Sequence, residues 1–271
     1  YQYDQRIKAV DRAVYQENEW HNLIMNTHGL NAFGSVNYCG IYVSLKAEDK
    51  GDRQTGLAMN FKRGIEQLQP ESVAREAAGK AVRGLNPRSL SSGIMPCVLE
   101  AGVTAKLLGL LAASLGADAV QKGKSMLAGR LGEGIASPLV NLVDDATWEE
   151  GLACMPFDGE GYPTRRNNLI SRGILQGFLY DMRTATKEGK KSTGNGHRAS
   201  FRSLPLVSSS NLFLLPGEEE PEKLIGEITA GIYITDVLGM HTANPVTGDF
   251  SLGAAGIRIS GGRLAYPVRG L

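Results

Sequence analysis

The sequence predicts an α+β fold: a smaller α+β segment over 1–93, then a larger strand-rich domain over 94–271. The second part is expected to hold mostly antiparallel strands and a few packed helices. Three observations predict this. Apolar residues alternate with polar ones in short runs, which is strand patterning. The chain has 34 glycines in 271 residues, well above the roughly 7% of an average protein, so turns and bulges outnumber long helices. The gaps between most strand-like runs are too short for the helical crossover that parallel neighbours need.

Taken in order, residues 5–15 place Ile7, Val10 and Val14 three and four apart, which predicts a short amphipathic helix. Residues 20–27 and 35–47 read as strands, and 26–29 (Asn-Thr-His-Gly) as the turn of a hairpin. Residues 49–52 form a polar turn, and 54–62 another strand. A helix opens at Pro70, with Ser72 as its N-cap and an apolar stripe of Val73, Ala77, Ala81 and Val82. The run 84–87 ends it, and 89–93 reads as a linker. In the second part a short apolar strand is expected at 94–99, a small-residue helix at 101–115, continuing helix at 117–126, and a buried strand at 137–143. Further strands are expected at 169–170, 178–181, 211–215, 232–235, 255–259 and 264–267, with helices at 184–189 and 222–230.

Bulk properties narrow the function. A net charge of +1 gives no electrostatic reason to expect nucleic acid. No apolar run is long enough to span a bilayer, and the first residues carry charges where a signal peptide needs an apolar segment. Cys39, Cys97 and Cys154 are odd in number and widely spaced, so no disulfide framework is expected. A reducing, cytoplasmic location follows as the expectation. The absence of an initial Met fits a processed or truncated chain.

Two segments carry the polar chemistry. In the first, Gly161–Asn195, the residues Thr164, Arg165, Arg166, Asn167 and Asn168 stand in a row after a turn cluster at 158–161. On a strand, Arg165 and Asn167 would share one face, and Thr164, Arg166 and Asn168 the other. The plainer reading is a solvated edge strand with structural amides. The functional one is a groove whose amide and guanidinium donors hold peptide backbone. The loop 190–195, with Lys191, Ser192 and Asn195, is polar and lacks the residue order of a phosphate-binding P-loop. It is expected to be mobile. The second segment, Gly239–Gly270, contains a shaped loop in which Asn244 and Asp249 flank Gly248.

Metal chemistry has little support. His21, His28, His197 and His241 form no H-E-x-x-H pattern. A set drawn from His197, His241 and Cys154 is the one displaced alternative. The acidic pairs Asp144-Asp145 and Glu149-Glu150 read as surface charges, and Ser208, Ser209 and Ser210 lack a G-x-S-x-G setting.

Across these two segments, and again at LKAEDKG (45–51) and QKGKSMLAGRLG (121–132), the chain resembles the TldD/PmbA family over essentially its whole length. The family has two kinds of subunit. The TldD kind carries HExxxH on the helix before the KGxS-like segment and uses it to hold a metal for peptide hydrolysis. The matching positions here are Leu108, Gly109 and Ala113, which can neither ligate zinc nor activate water. The ANPVTGDFS loop is also similar to the PmbA, or TldE, kind.

The resemblance implies a subunit without metal or other cofactor of its own, zinc being expected only in a TldD-type partner. The partner is then an HExxxH-bearing subunit in a cytoplasmic heterodimer, or a second copy in a homodimer. Small unfolded proteins, peptide-antibiotic precursors and antitoxins are the implied substrates. The peptide-binding candidates are Thr164, Arg165, Arg166, Asn167, Asn168, Lys191, Ser192, Asn195, Asn244 and Asp249. Full members are longer, which implies that a preceding portion, and a short strand after Leu271, are missing here. A homodimeric peptide-binding or assembly protein with no protease role is the alternative.

Overall fold

In a computed structural model that describes residues 3–270, β1 (Ile7–Met25), β2 (Asn31–Asp49) and β3 (Asp52–Lys62) form an antiparallel meander in the order β1-β2-β3. The helix expected at 5–15 is therefore the start of a strand. Register shifts between Ile7 and Ala9 and between Val10 and Arg12 mark bulges. They interrupt the two-residue alternation, so Ile7, Val10 and Val14 fall three and four apart without a helix. Pairing with β2 along its length overrides that short local pattern.

The expected hairpin is present. At its turn the Asn26 carboxamide oxygen accepts from the amides of His28 and Leu30. The β2–β3 turn places both Lys50 and Gly51 at positive φ, the geometry that tight hairpins favour.

α1 (Pro70–Arg83) lies on one face of this sheet. Val73, Ala77, Ala78 and Ala81 pack against Ile7, Val43, Leu45, Ala47 and Ala58. The N-cap position is Gln69, with Pro70 at the first helical position, so Ser72 lies inside the helix and not at its cap. Pro is well suited to that site because its missing N–H would be unpaired there anyway. Helix and sheet approach closely because Gly56 has no side chain: a Cβ there would stand 2.0 Å from the Ala77 carbonyl.

After β4 (Cys97–Leu99), α2 (Ala101–Ser114) and α3 (Ala117–Gln121) follow. Gly123, at positive φ, ends α3 well before the expected Met126. One four-stranded sheet, in the order β10-β5-β6-β7, contains β5 (Leu142–Asp145), β6 (Arg166–Ser171), β7 (Ile174–Leu175) and β10 (Leu212–Leu214). A second, in the order β13-β12-β11-β4, contains β11 (Ala230–Leu238), β12 (Gly253–Ser260) and β13 (Arg263–Arg269). Every pairing in these two sheets is antiparallel except that of β4 with β11. β8 (Gly196–His197) and β9 (Leu206–Val207) form a small ladder, while α4 (Met182–Lys187) and α5 (Pro221–Gly226) are single short helices.

Several boundaries differ from expectation. The strand expected at 178–181 contributes only a bridge between Leu179 and Gly116. The one expected at 137–143 begins at Leu142 and runs on through Asp144 and Asp145. The helix expected at 222–230 ends at Gly226, and Ala230 already belongs to β11.

α2 serves two cores. Leu108 and Leu111 pack against the cluster around Leu142, Leu169, Leu175 and Leu179. Val103 and Leu107 pack with Ile232, Ile234 and Val268. The hairpin rests on the second part of the chain where Gly34 meets Met155 and Phe157, and where Gly161 meets Ile24 and Leu30.

Two glycines give opposite expectations. Gly56→Ala puts a methyl into the α1 backbone and should cost about 2–3 kcal/mol. Gly109→Ala on α2 meets nothing within 4 Å and should add about 0.5–1 kcal/mol by helix propensity. Urea denaturation of both variants checks this; equal effects would refute the packing assigned to Gly56.

Candidate functional site

The polar residues of the first segment converge where β5 and β6 pair. The register places Asp144 opposite Asn167 and Asp145 opposite Arg166. One side of the pair therefore carries Asp144 and Asn167, and the next residues along carry Asp145 and Arg166 to the other. The loop 190–196 lies over the first side. Asn195 Nδ2 donates to Asp144 Oδ2 at 2.7 Å and to the Ser208 carbonyl at 3.0 Å. Its Oδ1 accepts from Thr193 Oγ1 at 2.7 Å and Asn167 Nδ2 at 3.2 Å. The Ser210 amide donates to Asp144 Oδ1 at 2.6 Å. Arg165 donates to the Ser192 carbonyl and to the Asn167 oxygen.

This loop is not mobile as expected: Ser192, Thr193, Gly194, Asn195 and Gly196 are all buried. Ser192 donates its hydroxyl, and Thr193 its backbone amide, to the Tyr180 carbonyl, and the Tyr180 amide donates back to Thr193 Oγ1. Burying a polar loop is tolerable only when its groups are paired, and here they are. Asp144 and Asp145 are likewise buried and not surface charges. They are interior strand positions: the Asp144 oxygens accept from Asn195 and Ser210, far away in sequence, and Asp145 Oδ1 accepts from the amide and hydroxyl of Thr147. Glu149 and Glu150 are exposed as expected.

The turn at 158–161 braces the loop from below. Asp158 accepts from the amides of Glu160, Tyr162 and Gly196. Arg198 Nε donates to the Gly159 carbonyl at 2.6 Å. Glu160 reaches over Gly196 to accept from the Met182 amide at the start of α4, and a Cβ on Gly196 would stand 2.5 Å from that carboxylate.

The electrostatics follow from burial. Desolvation pushes the Asp144 carboxyl above the usual range, against the pull of the Asn195 and Ser210 donors; nearby Asp145 pushes the same way. Desolvation also raises Glu160, with the charges of Asp158 and Asp181 adding to it. Glu188 goes the other way. Burial pushes it up, but Lys190, Gln121 and the Tyr180 hydroxyl outweigh that and hold it at about 2.

Of the residues expected at a site, Arg165, Asn167, Ser192 and Asn195 are brought together and bond to one another and to the chain's own loop, with Arg165 still exposed. Thr164 donates its hydroxyl to the Met155 carbonyl. Arg166, Asn168 and Lys191 are exposed, Arg166 lying 3.9 Å from Asp145. Asn244 and Asp249 form a separate exposed loop, closed by the Asn244 amide donating to the Asp249 carbonyl and the Gly248 amide to the Asn244 carbonyl. That loop docks through the Pro245 carbonyl, which accepts from Ser114 Oγ and the Met126 amide. No hydrogen bond joins it to the Asn195 cluster among the described residues. Asp144, Thr193 and Asp158 are the members of the cluster that sequence reasoning left out. The available signal was Asp144 directly continuing the apolar Leu142-Val143 run.

On α2, Leu108 faces the core, while Gly109 and Ala113 are exposed. None of these three side chains offers a lone pair, so these positions do not fit a zinc ion. His197, His241 and Cys154 do not gather into a metal-holding group among the described residues. No helix among them is long and apolar enough to cross a membrane.

Comparison with known proteins gives a consistent result. The PmbA/TldA metallopeptidase central domain matches residues 1–85, and the C-terminal domain of the same metallopeptidases matches 92–271. The chain is 31% identical to a Haemophilus influenzae metalloprotease TldD homolog over 98% of its own length and 56% of that protein's. It is 29% identical to metalloprotease PmbA of Escherichia coli O157:H7, covering 98% of this chain and 57% of the other. The chain thus spans a little over half the length of these curated relatives. Among solved structures, a Thermotoga maritima protein described as a candidate modulator of a DNA gyrase superposes with a TM-score of 0.92 at 32% identity, over 98% of this chain and 60% of that one. TldE from Thermococcus kodakarensis superposes with a TM-score of 0.83 at 24% identity, over 94% and 58%.

Asn195→Ala would leave the buried Asp144 with one donor and should cost about 3 kcal/mol. Because the folded Asp144 pKa is raised, its ionised form is a burden above that pKa, relieved as pH falls through it. The loss should therefore be larger at neutral pH than at an acidic pH below that raised pKa. Denaturant titrations at the two pH values test this, and a loss that does not change with pH would contradict it.

Proposed function

The chain belongs to the TldD/PmbA metallopeptidase family, and from that premise we propose that it is a PmbA/TldE-like subunit of a cytoplasmic peptidase acting on unfolded peptides. The observation that carries the reading is the sequence of α2. Where the TldD kind presents two histidines and a glutamate, this helix presents Leu108, Gly109 and Ala113. Hydrolysis would then be the work of a TldD-type partner whose zinc polarises the scissile carbonyl and supplies the attacking water.

The contribution of this chain is surface. Unfolded substrates vary in sequence, so a binder of many of them must rely on backbone hydrogen bonding, which is the same for every peptide. The buried Asp144–Asn195 cluster fixes the loop 190–196 against β6, while Arg166, Asn168 and Lys191 stay exposed. These are the groups that could meet a peptide from this segment, with Asn244 and Asp249 on the second loop.

A second reading, a homodimeric peptide-binding or assembly protein, is favoured by one feature of α2. Gly102, Ala105, Gly109 and Ala113 are exposed on a helix that is otherwise largely apolar, and nothing lies within 4 Å of where a Cβ would stand on either glycine. Such a face suits close helix packing with another chain.

The deciding experiment mixes the purified chain with an HExxxH-bearing family subunit and follows size and cleavage of an unfolded casein probe. The expected result is a mixed complex that cleaves in a chelator-sensitive way, while this chain alone does not. Chelator-sensitive cleavage by this chain alone would sink the proposal. Self-association with no mixed complex would select the second reading.

A further inference from the structure

β1 is an edge strand of 19 residues, paired with β2 on one side and with no other strand on the other among the described residues. Typical strands run about 5–6 residues. An edge this long presents a row of unpaired amides and carbonyls, which proteins normally blunt with bulges, proline or short length. Here both bulges fall at the beginning, between Ile7 and Arg12. From Ala13 to His21 the register is unbroken and there is no proline.

The side chains along this stretch divide by face. Glu17, Glu19 and His21 lie on one, opposite Cys39, Asn37 and Ser35. Both glutamates are exposed, and no Lys or Arg forms a salt bridge to either among the described residues. Their side-chain neighbours are the Tyr15 hydroxyl, 3.1 Å from Glu17, and His21, 3.4 Å from Glu19. The other face carries Trp20, half exposed, whose ring lies 5.4 Å from Tyr38, which in turn lies 6.0 Å from Phe61. One face of the open edge thus carries both glutamates, with Tyr15 and His21 beside them, and the other carries Trp20.

We propose that the β1 edge from Ala13 to His21 takes an extended peptide as a fourth strand, with Lys or Arg at alternate positions facing Glu17 and Glu19 and apolar residues between them facing Trp20. The proposal rests on the peptide-binding reading above and names its substrate class. Backbone hydrogen bonds supply the affinity and the two faces the preference. A second copy of β1 fits the same edge poorly. Antiparallel self-pairing centred on Glu17, Asn18 or Glu19 sets glutamate against glutamate, and like charges directly opposite each other are destabilising.

The test is fluorescence anisotropy on the full chain with labelled octapeptides of alternating Lys-Val and alternating Glu-Val. Two further Lys-Val peptides are N-methylated, one on every Lys amide and one on every Val amide. The Lys-Val peptide should bind about tenfold or more tightly than the Glu-Val one, and the double variant Glu17→Lys/Glu19→Lys should reverse that order. One of the two N-methylated peptides should lose binding, because methylation removes the donors facing the edge.

The proposal is overturned if both methylated peptides bind like the parent, or if the double variant keeps the wild-type preference. It is also overturned by a concentration-dependent dimer that the peptide does not displace, which would assign the edge to a second copy. Unchanged casein cleavage by the double variant in the mixed complex would sink this inference alone and leave the subunit reading standing.

Discussion

The fold of the second half depends on a carboxylate with no access to water. Asp144 has no exposed surface, and ionising it there is costly unless donors replace the lost solvent. The donors come from two distant stretches of chain, Asn195 from one loop and the Ser210 amide from another. The charge therefore fixes the position of both. Because Asn195 also receives Thr193 and Asn167, and Thr193 in turn exchanges hydrogen bonds with Tyr180, one buried charge organises the sequence from 167 to 210.

That organisation reaches the N-terminal hairpin by short steps. Gly196 follows Asn195 and donates to Asp158. The Asp158 turn contains Gly161, whose backbone lies against Leu30 and Ile24 near the tip of the β1–β2 hairpin. Gly34 of β2 is packed over Met155 and Phe157 just before the same turn. The glycines at 34, 161 and 196 share a purpose: each lies where a side chain would collide with a partner from another part of the fold. The hairpin, the turn and the polar loop are held as one packed unit, so a strand added at the edge of β1 would meet a stiff receptor and not an adaptable one.

What was legible in the sequence follows a physical pattern. The meander from β2 to β3, the α1 helix and the glycine-rich strands near the end were readable because local patterning and tertiary packing agree there. β1 was misread at its start because two bulges imitate a helical spacing, and only the partner strand reveals the alternation. The polar loop 190–196 reads as mobile in the sequence because burial of Ser, Thr and Asn depends on partners far away along the chain. Asp144 and Asp145 read as surface charges in the sequence for the same reason. Composition marks a carboxylate as exposed by default, and nothing local announces that Asn195 and Ser210 will meet it. The pairing of Arg165 with Asn167 on one face was legible, since strand alternation alone dictates it; that their donors turn inward was not.

The state of α2 bears on how such a family can hold two kinds of subunit. The helix packs into two separate cores, through Leu108 and Leu111 on one side and Val103 and Leu107 on the other. Its structural duty is thus discharged mostly by apolar residues outside the three ligand positions, Leu108 being the one shared position. Of the three positions where the TldD kind carries ligands and base, Gly109 and Ala113 are exposed here and support no packing, and Leu108 adds to a core. Replacing those ligands would remove a cluster of polar groups from the helix surface while leaving its anchoring contacts intact. A scaffold whose anchoring contacts come mostly from residues outside the ligand positions can lose the chemistry without losing the fold. This is the physical condition that a metal-less subunit of the proposed kind requires.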